Sequence, residues 1–466
     1  MSHTIEPTMS DDFLLRGPAR PGAAASRPWQ FPTVERRTLG DGLSLLVAPA
    51  HALPLVSVLL VTDAGADADA PGAEGLAMLT ARAMTEGTRQ YDGAAFALAA
   101  EGLGTAIDAS ADWDGGYASF TALRKHVEPA LGLFAELLTS PAFPEREVER
   151  LKAERLADIA HAEKEPRGLA DEHFAASVYR DGSRFGRSAA GTRASVSALD
   201  ADACRAYAAS RWRRGGSTII VVGDITGDQA ERLIGAALRD FRGAAPSRVT
   251  VDDRRTASAR RVVLVDRPGA TQSELRVGHV GVPRTHPDYF PLVLGNAILG
   301  GLFNSRLNMN LRERNGFTYG AGSGFDWRRQ AGPFVASAAV ETGVTEPALR
   351  ELLGELDRIR NDGVTADELS LAQSYLDGVF PLRYETSGAI ADALAAMVTF
   401  GLPADWFTKY RERVRAVTVS DVQAAMQRHL DPAAWQIVVV GDAATIQPRV
   451  EAMALGPVAV VPGVLP

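Results

Sequence analysis

The sequence predicts an α+β protein of two homologous domains, each a mainly antiparallel sheet packed with helices and joined to the other by a linker. A repeated strand-like run is the first observation behind this prediction: IIVVGD at 219–224 recurs as IVVVGD at 437–442. Near the front of each half, LSLLV at 43–47 aligns in the same way with RVVLV at 261–265. Both pairs are 218 positions apart (437 − 219 and 261 − 43), which indicates two copies of one unit without net insertion between them.

The first unit alternates between strand-like and helical patterns. Strands are predicted where apolar residues alternate or cluster between turn residues, and helices where they recur every three or four positions. The mixed order of strands and helices, with a hairpin-type turn near the front, favours a largely antiparallel sheet. The predicted elements are a turn at 40–42, strands at 43–47 and 56–61, a helix at 72–84, strands at 105–109 and 117–123, and an amphipathic helix at 145–162.

Composition shifts divide the chain into four predicted segments. Residues 1–30 are rich in proline, glycine and alanine, which favours a flexible N-terminal arm. Residues 242–260 are polar and lack hydrophobic periodicity, as expected of a linker. The two homologous domains are therefore predicted at 31–241 and 261–460.

Charge and composition exclude several classes of protein. Lys and Arg number 49 against 57 Asp and Glu, so the basic excess typical of sequence-independent nucleic-acid binding is missing. No apolar run reaches the ~18 residues of a transmembrane helix, and the short apolar run at 13–15 ends at Arg16, too early for a secretion signal. We expect a cytoplasmic protein without membrane contact, or a periplasmic one if the start codon is misassigned. The single cysteine, Cys204, allows no intrachain disulfide and no thiolate metal site.

Two runs in the second half carry a family resemblance. LGGLFNSRL at 299–307 and LRERNGFTY at 311–319 resemble the insulinase/pitrilysin family of metallopeptidases, in its mitochondrial processing peptidase-like branch. In the first half, GAEGLAMLTARAMTEGT at 72–88 resembles the zinc helix of that family, and 144–166 resembles the helix that supplies the third metal ligand. The resemblance covers about residues 34–450. It implies half of a clamshell-like peptidase chamber built from two repeated domains.

The zinc motif that this resemblance implies is degenerate. Active members carry H-x-x-E-H, in which two His bind Zn²⁺ and the Glu is the general base. The corresponding positions here read MLTAR, so Met78 and Arg82 replace the ligands and Ala81 replaces the base. The third ligand, a distant Glu in the family, corresponds to Asp158. Because catalytic zinc needs three protein ligands and an open position for water, we predict that this chain binds no metal.

Two related questions stay open at the level of the sequence. Asp158 either pairs with Arg82 or is solvated. The second question is whether other histidines form a substitute zinc site. None of the eight lies three or four positions from another, so no pair can share one helix face, and such a site is not favoured.

The other part of the family's catalytic apparatus is present. The resemblance implies that an Arg and a Tyr from the C-terminal domain reach toward the scissile bond, and Arg312 and Tyr319 stand at those positions. Such groups would stabilise the oxyanion of peptide hydrolysis. The alternatives are a surface salt bridge for Arg312 and a packed aromatic ring with a hydrated hydroxyl for Tyr319. The run at 305–307 is interpreted as structural, and the glycines at 300–301 either allow close backbone approach or pack a helix.

The resemblance therefore implies a zinc-less, non-catalytic subunit of a heterodimeric zinc metallopeptidase. The expected partner is a zinc-bearing homologue, the expected substrates are unfolded peptides, and neither nucleic acid nor membrane is expected to bind. A purely structural or peptide-binding scaffold is the alternative. The resemblance implies that active relatives bind peptides by strand addition at the edge corresponding to 104–110, and in this chain that edge is either idle or aids peptide capture. An independent enzyme is disfavoured because no nucleophile elbow, phosphate-binding loop or dinucleotide fingerprint is found.

Overall fold

The computed structural model describes residues 29–256 and 259–463, so the predicted arm at 1–30 lies almost wholly outside the described residues. The strands are β1 (Glu35–Leu39), β2 (Leu43–Pro49), β3 (Leu55–Thr62), β4 (Ile107–Ala111), β5 (Gly116–Leu123), β6 (Thr218–Gly223), β7 (Arg261–Asp266), β8 (Gln272–Val280), β9 (Ala321–Phe325), β10 (Pro333–Glu341), β11 (Gln436–Gly441) and β12 (Val458–Val461).

The helices form most of the remaining regular structure. None of those in the described ranges combines the length and apolar character needed to span a bilayer. They are α1 (Leu76–Met84), α2 (Gly93–Glu101), α3 (Val127–Thr139), α4 (Glu145–Ala162), α5 (Pro166–Val178), α6 (Arg193–Ala198), α7 (Ala201–Arg211), α8 (Gly227–Ala237), α9 (Tyr289–Asn296), α10 (Thr345–Asn361), α11 (Ala366–Arg383), α12 (Ser387–Phe400), α13 (Tyr410–Ala416), α14 (Val419–His429) and α15 (Ala443–Ala452).

The strands form two six-stranded sheets with the same internal order. The first runs β1-β2-β6-β3-β5-β4 and the second β12-β7-β11-β8-β10-β9. In the first sheet β2 and β6 are parallel, and in the second β7 and β11 are parallel. From β6 to β4, and from β11 to β9, each strand is antiparallel to its neighbour. The strands from β2 to β6 lie about 218 positions before their equivalents in the second sheet, whereas the edge strands β1 and β12 fall outside the repeat. The predicted repeat and the predicted α+β class are therefore confirmed.

Local sequence explains most element boundaries. Helix α4 has the predicted bounds, and its apolar residues Val148, Leu151 and Ile159 are buried. Helix α1 begins at Leu76, four residues later than predicted. The preceding Gly75 has a φ of 97°, in the left-handed region that a right-handed helix cannot contain. Strand β4 likewise begins two residues later than its pattern predicted.

The two halves exchange helices across their sheets. Helix α5 belongs to the first half in sequence, yet it packs on β8 and β11 of the second sheet. Its Phe174 and Val178 share a buried apolar cluster with Val263 and Val438. Helix α12 of the second half packs in return on β3 and β6 of the first sheet. Separating the halves would therefore expose apolar surface on both sheets, which makes them one packing unit.

The segment predicted as a linker is packed against its surroundings. Within 242–256 the structure shows no helix and no strand beyond a single bridge between Arg255 and Tyr179. Val251 is buried, and its backbone N–H and C=O both hydrogen-bond to the side-chain amide of Gln330, at 2.9 and 2.6 Å. This contact ties the segment to the second half.

A buried charge cluster joins the two halves where equivalent hairpin turns meet. Arg329, in the β9–β10 turn, lies 2.9 Å from Asp63 and 3.7 Å from Asp67 through its Nη1. Its backbone N–H donates to the carboxylate of Asp114, in the β4–β5 turn, at 3.1 Å to each oxygen. Burial raises the pKa of Asp67 to about 7 and that of Asp114 to about 6, against the attraction of Arg329.

Asp67→Asn is expected to remove part of the pH dependence of unfolding. The folded-state pKa of Asp67 is raised above its unfolded value, so the native state binds this proton more tightly. The resulting stabilisation is present at about pH 4 and is lost as the pH rises through about 7. At about 1.4 kcal/mol per pKa unit, wild-type stability relative to the variant should fall by up to about 4 kcal/mol across that window. Urea unfolding of both proteins at several pH values measures this, and parallel pH curves would contradict it.

Candidate functional site

The degenerate zinc motif lines a cavity of about 290 Å³ between α1 and α4. Met78 and Arg82 are one helical turn apart on α1, so both side chains face the cavity, and Asp158 of α4 lines its other side. Ala81 is fully buried and lies outside the lining. The structure thus brings together three of the four positions at which the sequence predicted a former metal site.

Arg82 does not pair with Asp158. Its Nη2 donates to Glu154 Oε2 at 2.7 Å, one turn earlier on α4. Glu154 also accepts from Arg150 Nη1 at 2.5 Å, which completes a surface ion-pair chain. Asp158 is exposed. Of the two alternatives that the sequence left open, the solvated Asp158 is therefore the one found.

The residues around this cavity do not fit a zinc ion. Neither the Met78 side chain nor the guanidinium of Arg82 can replace an imidazole ligand, and Arg82 adds a fixed positive charge. Among the described residues, the single group of three ligand-type side chains within reach of one ion lies elsewhere, at His286, Asp288 and His429. No hydrolytic step can be assigned to the α1–α4 cavity.

A buried carboxylate positions helix α1 and hence this cavity. Asp69 accepts hydrogen bonds from the backbone N–H groups of Gly75 and Ala77, at 2.8 and 2.9 Å. It therefore replaces the missing side-chain cap at Gly75. Arg184 Nη2 lies 3.1 Å from the same carboxylate. Burial raises the pKa of Asp69 to about 6, while Arg184 and the two amides oppose the increase.

Strand β4 forms the rim of the cavity and the end of the first sheet. Ala109, Ser110 and Ala111 line the cavity, and β4 pairs with β5 alone among the described strands. An open groove of about 550 Å³ follows the same edge, past Gly104 and Asp108. Within the segment 104–110, the part that belongs to β4 therefore presents an open strand edge beside the cavity, the arrangement that strand addition requires. The backbone N–H groups of Gly104 and Thr105 already donate to the end of α2 and are not part of that edge.

Arg312 and Tyr319 lie on the second half and outside this cavity. Arg312 is on a π-helical segment, Asn308–Arg314, and its side chain is 37% exposed. Its guanidinium stacks 4.8 Å above the ring of Phe303, and its Nε is 3.5 Å from Glu313, a weak contact between chain neighbours. Tyr319 is 96% exposed, so the alternative of a packed aromatic ring is wrong.

Two family models account for most of the chain. Residues 47–193 match the model described as insulinase (peptidase family M16), and residues 198–376 match the model described as peptidase M16 inactive domain. The chain belongs to the insulinase family, M16. With the zinc ligands replaced at 78–82, it is a non-catalytic member of that family.

Similar insulinase-family proteins span nearly the same length. An uncharacterized zinc protease, SCO5738 of Streptomyces coelicolor, is 24% identical over 84% of this chain and 86% of that protein. The protein named non-peptidase homolog YmxG of Helicobacter pylori is 21% identical, over 82% and 88%. The crystal structure of a peptidase M16 inactive domain from Pseudomonas fluorescens superposes with a TM-score of 0.82 at 28% identity, covering 88% of this chain and 98% of that one.

The insulinase-family motif before Arg312 is a structural framework. A Cβ on Gly300 would lie 2.3 Å from the backbone nitrogen of Ser323, so only glycine permits this approach to β9. Arg306 forms a bidentate pair with Glu368, at 2.7 and 2.8 Å, and lowers the pKa of that carboxyl to about 2. Leu307 is fully buried. The structural interpretation of 305–307 is confirmed, and close approach explains Gly300.

Sequence reasoning missed the residue that holds the π-helical segment. Asn310 is 1% exposed, and its Nδ2 donates to Glu351 and Glu355 of α10, at 2.7 Å each. Its Oδ1 accepts from Asn315 Nδ2 at 2.7 Å. The amide thus fixes the turn that carries Arg312. Its signal in the sequence was weak, because an isolated asparagine in a polar run is usually exposed.

Proposed function

We propose that this insulinase-family chain is the zinc-less subunit of a heterodimeric metallopeptidase. A homologous partner would supply the zinc site, and this chain would supply Arg312 and Tyr319 to it. The observation that carries the proposal is the 96% exposure of Tyr319, in the loop that follows the segment anchored by Asn310. An aromatic ring with this exposure contributes little to the stability of the isolated chain, and it suits a site completed by a second protein.

The chemistry of the two side chains agrees with this role. Hydrolysis of a peptide bond passes through a tetrahedral intermediate with negative charge on the former carbonyl oxygen. A tyrosine hydroxyl donates one hydrogen bond, and a guanidinium adds a permanent positive charge with several N–H donors. The stacking of Arg312 on Phe303 limits the motion of its side chain, so the donor is positioned before substrate arrives.

The surroundings of Arg312 suit contact with a partner or an unfolded peptide. Phe303 is 69% exposed and Met309 45% exposed, on the same glycine-rich and π-helical framework as Arg312. Exposed apolar side chains near fixed hydrogen-bond donors are typical of surfaces that bind other polypeptides. The substrate class proposed is therefore an unfolded peptide enclosed between the two subunits.

A peptidase assay with three protein samples tests the proposal. The samples are this chain alone, an H-x-x-E-H homologue from the same organism alone, and an equimolar mixture, each with a quenched fluorescent peptide. We expect activity above background in the mixture only, together with a heterodimer peak in size-exclusion chromatography. Full activity of the homologue alone, or zinc-dependent activity of this chain alone, would refute the proposal.

A peptide-binding scaffold is the second candidate, and the cavity beside β4 favours it. The cavity of about 290 Å³ is lined largely by apolar side chains, next to the open edge of the first sheet. Peptide binding by this chain, measured by fluorescence anisotropy and abolished by the cavity-filling change Met78→Trp, would support the scaffold if the mixture showed no gain in activity.

A further inference from the structure

A cluster of metal-ligating side chains lies far in sequence from the degenerate zinc motif. His286, Asp288 and His429 each offer one nitrogen or oxygen atom, and these three atoms lie within 4.8 Å of one another. His429 Nε2 is 2.7 Å from Asp288 Oδ2, and the rings of the two histidines meet edge to face with centroids 4.7 Å apart. All three residues are half-buried.

The backbone brings these residues together from two packed helices. His286 and Asp288 precede α9, His429 ends α14, and α9 packs against α14. Asp288 stands at the N-cap of α9, but its carboxylate does not cap that helix and turns to His429 instead. Its backbone N–H donates to His286 Nδ1 at 3.1 Å, so this bond has to break, or the ring proton has to leave Nε2, when His286 binds a metal.

The residue types of the cluster are those that bind transition metals in proteins. Two imidazoles and one carboxylate supply nitrogen and oxygen ligands, and each binds a metal in its deprotonated form.

The spacing is close to that of a zinc site. Ligand bonds of about 2.0–2.2 Å at tetrahedral angles place neighbouring ligand atoms about 3.3 Å apart. The observed 2.7 Å between His429 and Asp288 and the 4.8 Å limit for the three atoms bracket that separation, so side-chain movements of about 1 Å complete the geometry.

We propose that His286, Asp288 and His429 bind one Zn²⁺ or a similar transition-metal dication at the contact between α9 and α14. Two imidazoles and one carboxylate leave a fourth position for water or a ligand from another molecule. The site is separate from the peptidase proposal, because neither Arg312 nor Tyr319 belongs to it. Arg428, which also pairs with Asp288, opposes the cation by its charge and competes for the carboxylate.

Metal titration of the full chain, without an affinity tag and after chelator treatment, tests the site. Co²⁺ serves as the spectroscopic probe and Zn²⁺ as the calorimetric one. We expect one Zn²⁺ per chain and visible Co²⁺ absorption bands of low-coordinate geometry. Zn²⁺ should also raise the unfolding temperature, because an ion that binds only the native state stabilises it.

Single substitutions assign the ligands. His429→Ala and His286→Ala should each weaken Zn²⁺ binding on the order of 100-fold or more, whereas Arg428→Gln should strengthen it. His161→Ala, at an exposed histidine of α4, is the matched control and should leave the affinity unchanged. Asp288→Asn keeps the shape of the side chain and removes its charge. It is the variant to test if an alanine variant fails to fold.

Two results would overturn the assignment. One is the absence of Co²⁺ and Zn²⁺ binding to the wild-type chain. The other is binding that persists with unchanged stoichiometry in folded His286→Ala or Asp288→Asn protein. Neither result bears on the peptidase assay, so the two proposals fail independently.

Discussion

Arg312→Ala should lower the kcat of the assembled peptidase by about 10²- to 10³-fold, the effect typical of removing one oxyanion donor. The loss should appear in kcat and kcat/KM together, with little change in KM, because the interaction forms only as the oxyanion develops. Tyr319→Phe removes one hydroxyl and leaves the ring, so its effect should be similar in kind and at most equal in size. This expectation rests on the proposed heterodimer.

The structure provides matched controls for both changes. Arg314 is exposed on the same π-helical segment as Arg312, and Tyr375 is a 48% exposed tyrosine on α11. Arg314→Ala and Tyr375→Phe should therefore leave kcat within about twofold, since surface changes of this kind alter free energies by less than about 0.5 kcal/mol. Stopped-time peptidase assays on purified heterodimer give the comparison.

One outcome would assign Arg312 a different role. If Arg312→Ala weakens heterodimer formation and leaves the kcat of the remaining complex unchanged, the residue contributes to the interface. Arg312 stacks on the exposed ring of Phe303, so the two side chains form one surface that a partner could contact. A catalytic role and an interface role for Arg312 therefore have to be measured separately. Size-exclusion chromatography of each variant with the partner separates the two roles.

Asp69→Ala should destabilise the folded chain by about 3–5 kcal/mol, the usual effect of removing one partner of a buried ion pair. Three donors lose their acceptor at once: the backbone N–H groups of Gly75 and Ala77, and the guanidinium of Arg184. The side chain of Arg184 is 8% exposed and that of Asp69 is fully buried, so water replaces these bonds poorly.

Asp69→Asn should have a smaller effect, because the amide oxygen still accepts from the start of α1. Asp181→Ala, an exposed change in a loop, is the control and should alter stability by less than about 0.5 kcal/mol. Urea unfolding followed by circular dichroism supplies all three values. A loss below about 1 kcal/mol for Asp69→Ala would show that Arg184 finds other acceptors, among them the backbone oxygens of Arg187, Ser188 and Ala189 that it already contacts.

The sequence predicted the features that depend on local periodicity and on residue identity. The 218-residue offset between the repeated runs corresponds to two six-stranded sheets with matching inner strand order. The helical pattern at 145–162 corresponds to α4, which has the same bounds. Replacement of the zinc ligands at 78–82 required no structure, because ligand chemistry is a property of the side chains themselves. The exposure of Tyr319 needed the structure, since a lone aromatic ring in sequence is more often packed.

The interactions that sequence reasoning missed or left open join residues far apart in the chain. Arg82 binds Glu154 and not Asp158, because the relative rotation of α1 and α4 selects between acceptors one turn apart. Arg329 meets Asp114 only when two distant hairpin turns come together. A search for histidine pairs at helical spacing could not find His286 and His429, which lie on separate helices.

By itself, the sequence determined the α+β class, the duplicated unit and the absence of the family's zinc ligands, because each follows from periodicity, self-similarity or side-chain chemistry. The tertiary structure decided which carboxylate pairs with Arg82, which helix covers which sheet, and which histidines meet. These outcomes depend on how helices and turns are rotated and placed as they bury apolar surface, and many arrangements of the same elements satisfy the local patterns equally well.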